Sequence, residues 1–148
     1  MTGGATDPPR EMNAGPQFYF EDVVLDDVVE TPGMTVTEAH VGLFRGLSGP
    51  GPDDVGAVPD LLLLCLTTGL GWRIPQPPLA VIAFLSIDWQ IVKSIEVGDT
   101  IRSRSKTVTK RAMKDGGLVV EERDVLDQHG EVVQRGRFTF LVKRRSSA

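Results

Sequence analysis

Few residues in this chain carry side chains that could do chemistry, and their spacing limits what that chemistry can be. There are two histidines, His40 and His129, and one cysteine, Cys65. Asp53, Asp54 and Asp60 are carboxylates within one short stretch, and a carboxylate or an imidazole can act as general acid or base. Of these, Asp54, Asp60 and His40 are the catalytic candidates. Each also has an ordinary role: Asp60 caps a helix, Asp54 is a solvated loop carboxylate, and His40 sits on an exposed helical turn. His129 lies in a Gln-His-Gly turn and is expected at the surface, with no role. Cys65 stands inside a leucine run, where apolar burial disfavours the thiolate, so a buried structural thiol is expected rather than a nucleophile. The histidines are far apart and the cysteine has no partner, so no metal-ligand spacing is present. No nucleophile elbow, phosphate loop or dinucleotide fingerprint occurs, and no cofactor is expected. Arg102, Arg104, Lys106, Lys110 and Arg111 make one strand basic. That is ordinarily a solvated sheet face, but Arg102 and Arg104 could also grip phosphates.

The elements that must position these residues follow from the pattern. Met1 to Pro16 hold three glycines and three prolines, which predicts a tail outside the fold; residues 17–145 form one domain. Phe18 to Thr31 reads as a strand or extended lead-in, Pro32-Gly33 as a turn, and Met34 to Thr37 as a short β-prone run. Thr37 is a plausible N-cap for a helix from about Glu38 to Leu47, whose stripe is Val41, Leu43, Phe44 and Leu47. Ser48-Gly49-Pro50-Gly51-Pro52 ends it. A second helix begins near Pro59-Asp60 and runs to about Leu70. It is apolar nearly all round, so other structure must enclose it. Four β-like segments follow. Leu79 to Ile87 is apolar enough for a central strand, with Trp89 packing at its end. Asp99 to Arg111 alternates, with Ile101, Ser103, Ser105, Thr107 and Thr109 on one face. Leu118 to Leu126 and Glu131 to Lys143 complete the set, with hairpin turns at Lys114 to Gly117 and Gln128 to Gly130. Helices first and antiparallel strands afterwards is an α+β pattern, and a curved antiparallel sheet wrapping one apolar helix hides both.

Composition agrees with a single ordinary domain. A chain of 148 residues can bury roughly two thirds of its unfolded surface and needs no disulfide or metal to fold. The net charge of −4 gives no reason to expect nucleic acid as a partner. The lone cysteine fits a reducing, cytoplasmic setting, and the longest dense apolar run, Leu61 to Leu66, is far too short to cross a bilayer.

The order of these pieces resembles the MaoC-like dehydratases, a hot-dog fold family. Phe20-Glu21-Asp22 and Pro32-Gly33-Met34-Thr35-Val36-Thr37-Glu38-Ala39 resemble the family's first strand and helix start, and Leu43-Phe44 to Leu47-Ser48-Gly49 the helix end. Pro59 and its apolar run resemble the central helix, and Val97-Gly98-Asp99-Thr100-Ile101 the start of a long strand. The resemblance covers roughly Phe18 to Val142. It implies a homodimer, or a heterodimer with another hot-dog subunit, and acyl-CoA or acyl-carrier-protein ligands. Arg102 and Arg104 would meet the carrier's phosphates. The implied reaction is reversible addition of water to a 2-enoyl thioester. In the family an Asp and a His just after the first helix supply the acid and base, and here those positions hold Pro50 and Val55. Three functions are therefore in play. One is a hydratase or dehydratase that uses Asp60, Asp54 or His40 instead. The second is a non-catalytic subunit of a heteromeric hydratase, and the third a hot-dog thioesterase in which a lone carboxylate activates water.

Overall fold

The computed structural model describes residues 15–49 and 57–146. The expected tail therefore lies largely outside the described residues, as do Asp53 and Asp54. Chain order is β1 (Val28–Glu30), β2 (Met34–Thr35), α1 (Glu38–Ser48), α2 (Asp60–Leu70), β3 (Val81–Ile91), β4 (Thr100–Met113), β5 (Gly116–Leu126) and β6 (Val132–Val142). A single 3-10 turn, Phe20–Asp22, precedes β1. The strands form one antiparallel sheet in the order β1-β4-β5-β6-β3, with β2 on the end of β4.

Both helices form where the sequence places them, but of the stripe expected on α1 only Val41 is buried and Phe44 half-buried, while Leu43 and Leu47 are exposed. Thr37 is the N-cap of α1, and its backbone N–H donates to His40 Nδ1 at 3.0 Å. Gly49 closes the same helix at φ +85°, a conformation that favours glycine. Pro59 opens α2, where its missing N–H is no loss. Leu62 and Leu63 of α2 and Val41 of α1 pack with Ile101, Val125 and Val133 of the sheet to form the main core. A smaller cluster of Phe20, Val119 and Val142 lies at the other end of the same face.

Three readings of the sequence are corrected. The apolar strand β3 is at the sheet edge, not the centre, and Val81, Ile82, Phe84, Leu85, Ile87 and Ile91 are all 40–52% exposed. An apolar run marks a strand whose surroundings are apolar, and it does not say whether the same chain supplies them. Likewise α2 is enclosed on one side only: Leu62, Leu63, Thr67 and Leu70 are buried, while Leu61 and Cys65 lie at the surface. Cys65 is therefore exposed, not the buried thiol expected. Third, a bulge between Thr107 and Thr109 inverts the alternation of β4. Beyond it Lys110 reaches the concave face, its ammonium 4.9 Å from the Phe20 ring centroid and 2.7 Å from the Val23 carbonyl. Thr109 is turned to solvent.

Candidate functional site

The helices cover only part of the concave face. Between the two apolar clusters a cleft of about 450 Å³ remains, lined by the C-terminal half of α2 (Thr67, Thr68), the segment after it (Trp72, Ile74) and the sheet. One wall is apolar and largely aromatic. Phe138 and Phe140 stack with centroids 6.1 Å apart, Phe84 lies within 5.7 Å of both, and Trp89 meets Phe138 edge-on at 5.6 Å. Gly136 permits this arrangement: a Cβ there would lie 2.0 Å from the Asp88 carbonyl and 2.5 Å from the Trp89 ring.

The other wall is polar. Ser103, Ser105 and Thr107 form a column on β4, and their neighbours on β5 are Val125, Arg123 and Glu121. Thr31 closes this side, its hydroxyl donating to the Pro32 carbonyl and accepting the Ser103 N–H at 2.9 Å. Glu121 and Arg123 form an ion pair at 3.1 Å with side chains only 21% and 14% exposed. The guanidinium also sits 4.3 Å over the Phe138 ring, a cation–π contact worth about 0.5–2 kcal/mol. Charges this enclosed lose several kcal/mol of hydration each, which the pairing must offset. The rim is pinned at Asp22, whose carboxylate accepts from Arg145 at 2.7 Å and from the Tyr19 N–H. Beside it the Arg145 backbone N–H, with help from Arg144, holds the Glu21 carboxyl below its usual range.

Asp54 lies outside the described residues, and among the described ones Asp60, His40, Arg102 and Arg104 do not line this cleft. Asp60 starts α2, about 16 Å of helix from its C-terminal end. Its carbonyl accepts from the amide of Gln134, which is fully buried and in turn accepts the Trp89 indole N–H at 2.9 Å. His40 serves in the cap of α1, half-buried. Arg102 and Arg104 point to the outer face of the sheet, Arg102 near Glu30 and the Asp127 carbonyl, and Arg104 paired with Asp124 at 3.2 Å. His129 is exposed in its turn, as expected, and Trp89 packs. The pair that does line the cleft, Glu121 and Arg123, was missed. Its signal was available: two charges at period-two spacing between Val119 and Val125, both of which face inward.

No model of a known protein family matches the chain, and no curated protein sequence does. Solved structures do. One is a monoamine oxidase regulatory protein from Archaeoglobus fulgidus, 25% identical, with a TM-score of 0.81 over 90% of this chain and 99% of that one. Another is a MaoC-like dehydratase from Rhodospirillum rubrum, 20% identical, with a TM-score of 0.73 over 88% and 99%. A third, from Streptococcus mutans and bound to acetyl CoA, is 17% identical, with a TM-score of 0.56 over 83% and 89%. (R)-hydratases and a double hot-dog protein share the same architecture. The curved antiparallel sheet with a helix packed on it is thus the hot-dog fold, and the structural neighbours of this chain are MaoC-like dehydratases and (R)-hydratases.

Proposed function

We propose that this protein binds an acyl thioester, of CoA or of a carrier protein, and adds or removes water across its 2-enoyl bond. The observation that carries this reading is the cleft: about 450 Å³ on the concave face of a hot-dog sheet, aromatic on one side and hydroxylated on the other. A space of that size and lining suits a short acyl group. One neighbour of the same fold holds acetyl CoA, and others are dehydratases and hydratases. In this reading the cleft holds the acyl tail, and the acid and base act at the thioester end outside it, supplied by Asp60, Asp54 and His40, His40 through Nε2, since Nδ1 already accepts the Thr37 N–H. Arg102 and Arg104 meet the carrier's phosphates outside the cleft. The apolar edge of β3 and the outer face of α2 are covered by a second hot-dog subunit, which also narrows the open side near Phe84. We place the protein in the cytoplasm on its single cysteine; no described helix is long and apolar enough to cross a membrane.

The test is incubation with a panel of 2-enoyl and 3-hydroxyacyl thioesters read by mass spectrometry. A change of one water, lost in Asp60→Asn, supports the reading; release of free thiol would make the protein a thioesterase instead. No change with any substrate by the folded protein would favour a second reading, a non-catalytic subunit that pairs with an active hot-dog partner. Two observations support that one. Pro50 and Val55 cannot transfer protons, and no histidine lies among the described residues of the cleft.

A further inference from the structure

We propose that the acyl group taken by this cleft carries a neutral hydroxyl beyond its reacting carbons, bound by Glu121 and Arg123 together. The proposal rests on the acyl-thioester reading and narrows its substrate class. A plain hydrocarbon chain would fit the aromatic wall, but on the other side it would strip water from an ion pair and a column of hydroxyls and return no hydrogen bonds. The ion pair leaves capacity unused. Glu121 can accept about four hydrogen bonds and Arg123 can donate five, while the two share one contact at 3.1 Å. The guanidinium carbon lies 4.3 Å from the Phe138 ring centroid, and one of its nitrogens meets the carboxylate, so its remaining N–H groups stand beside that carboxylate. Donor and acceptor side by side suit a group that both donates and accepts.

Charge decides against the ionic alternatives. Among the described residues the titratable groups lining the cleft are Asp22, Asp27, Glu121 and Arg123. Glu121 neutralises Arg123, Arg145 neutralises Asp22, and the nearby Lys110 ammonium is held by the Val23 carbonyl, so a chain ending in carboxylate meets no uncommitted cation and would lose its hydration for little return. A cationic chain would have to compete with Arg123 for both the Glu121 carboxylate and the Phe138 ring while losing its hydration. An apolar chain with an isolated hydroxyl satisfies both walls.

The experiment is calorimetric titration of the intact protein with hexanoyl-CoA, its 5-hydroxy and 6-hydroxy derivatives, and adipoyl-CoA. At least one hydroxy derivative should bind about 10-fold tighter than hexanoyl-CoA, and adipoyl-CoA weakest, because a site built around hydrogen-bonding groups discriminates against ligands that leave them unpaired. Removing both charges at once, in Glu121→Leu/Arg123→Leu, leaves no lone buried ion and should abolish or reverse the preference. Hydroxy derivatives that bind no tighter than hexanoyl-CoA, or adipoyl-CoA binding tightest, would overturn the proposal while leaving acyl-thioester binding intact. Binding of none of the four, and of none of the same acyl groups on phosphopantetheinylated carrier protein, would overturn that parent reading as well. The wild-type series decides even if the double variant does not fold.

Discussion

Gln134 has no solvent exposure, yet its amide makes two hydrogen bonds, accepting from Trp89 of β3 and donating to the carbonyl of Asp60 at the start of α2. Replacing it by leucine keeps the volume and leaves the indole N–H buried without a partner, so Gln134→Leu should cost about 1–3 kcal/mol, read as a lower urea midpoint. Acid should act through two aspartates. The Glu96 backbone N–H, then the Gln128 amide, hold Asp99 below its usual range. Burial pushes Asp127 up, but Lys93 and the N–H groups of Glu131 and His129 outweigh it, and the net direction is down. A carboxyl depressed by folding contributes stability above its unfolded value of about 3.9 and loses it as pH falls further. The wild type should therefore lose thermal stability steeply below about pH 4, and Asp99→Asn and Asp127→Asn should start lower and fall less. Legibility at this scale was mixed. Thr37, Gly49 and the turn at Gln128 to Gly130 announce themselves by local geometry. Glu121 and Arg123 did not, because charge ordinarily means solvent and the alternation that turns them inward was outweighed by that habit.

Among the elements, α1, α2 and the meander β4-β5-β6 were readable because each depends on its own periodicity and on turns encoded within it. Bulges are not encoded that way. The irregularity at Val108, and two more where β3 pairs with β6, are set by how the sheet curves around the helix. A bulge changes which face a residue uses without changing its type, so the faces of Thr109 and Lys110 were inverted in the reading. The pairing of β3 with β6 gives a direct test. Gly136→Ala forces a methyl into the Asp88 carbonyl and the Trp89 ring, and should destabilise by about 1–3 kcal/mol in urea unfolding. Gly42→Ala is the matched comparison. It lies in the interior of α1 with nothing within 4 Å of the added methyl, and should stabilise by about 0.5–1 kcal/mol.

Among the described residues, large apolar side chains stand open along the edge of β3 and on the outer side of α2 around Leu61, as well as at Leu43, Leu47 and Trp72. An edge strand meant to stay solitary is short or charged; β3 has 11 residues and a single charge, Asp88. Sedimentation should show a dimer, and Leu85→Lys or Ile82→Lys should convert it to a folded monomer. A wild-type monomer would instead direct the search to a different hot-dog chain. The misplacement of β3 at the sheet centre has the same origin. Its sequence is that of a buried strand, and if the expected dimer forms, burial by a neighbouring molecule would leave the same imprint as burial by one's own.

The same strand sets a schedule for biosynthesis. Among the described residues β3 pairs with β6 alone, and about 40 residues separate the end of one from the start of the other. At translation rates of about 5–20 residues per second, the most apolar strand of the sheet emerges on the order of 2–8 s before the segment that can pair with it is made. Throughout that interval it is a sticky nascent segment with no hydrogen-bonding mate, so the yield of folded protein depends on how crowded the surroundings of the ribosome are while β4, β5 and β6 are still being synthesised.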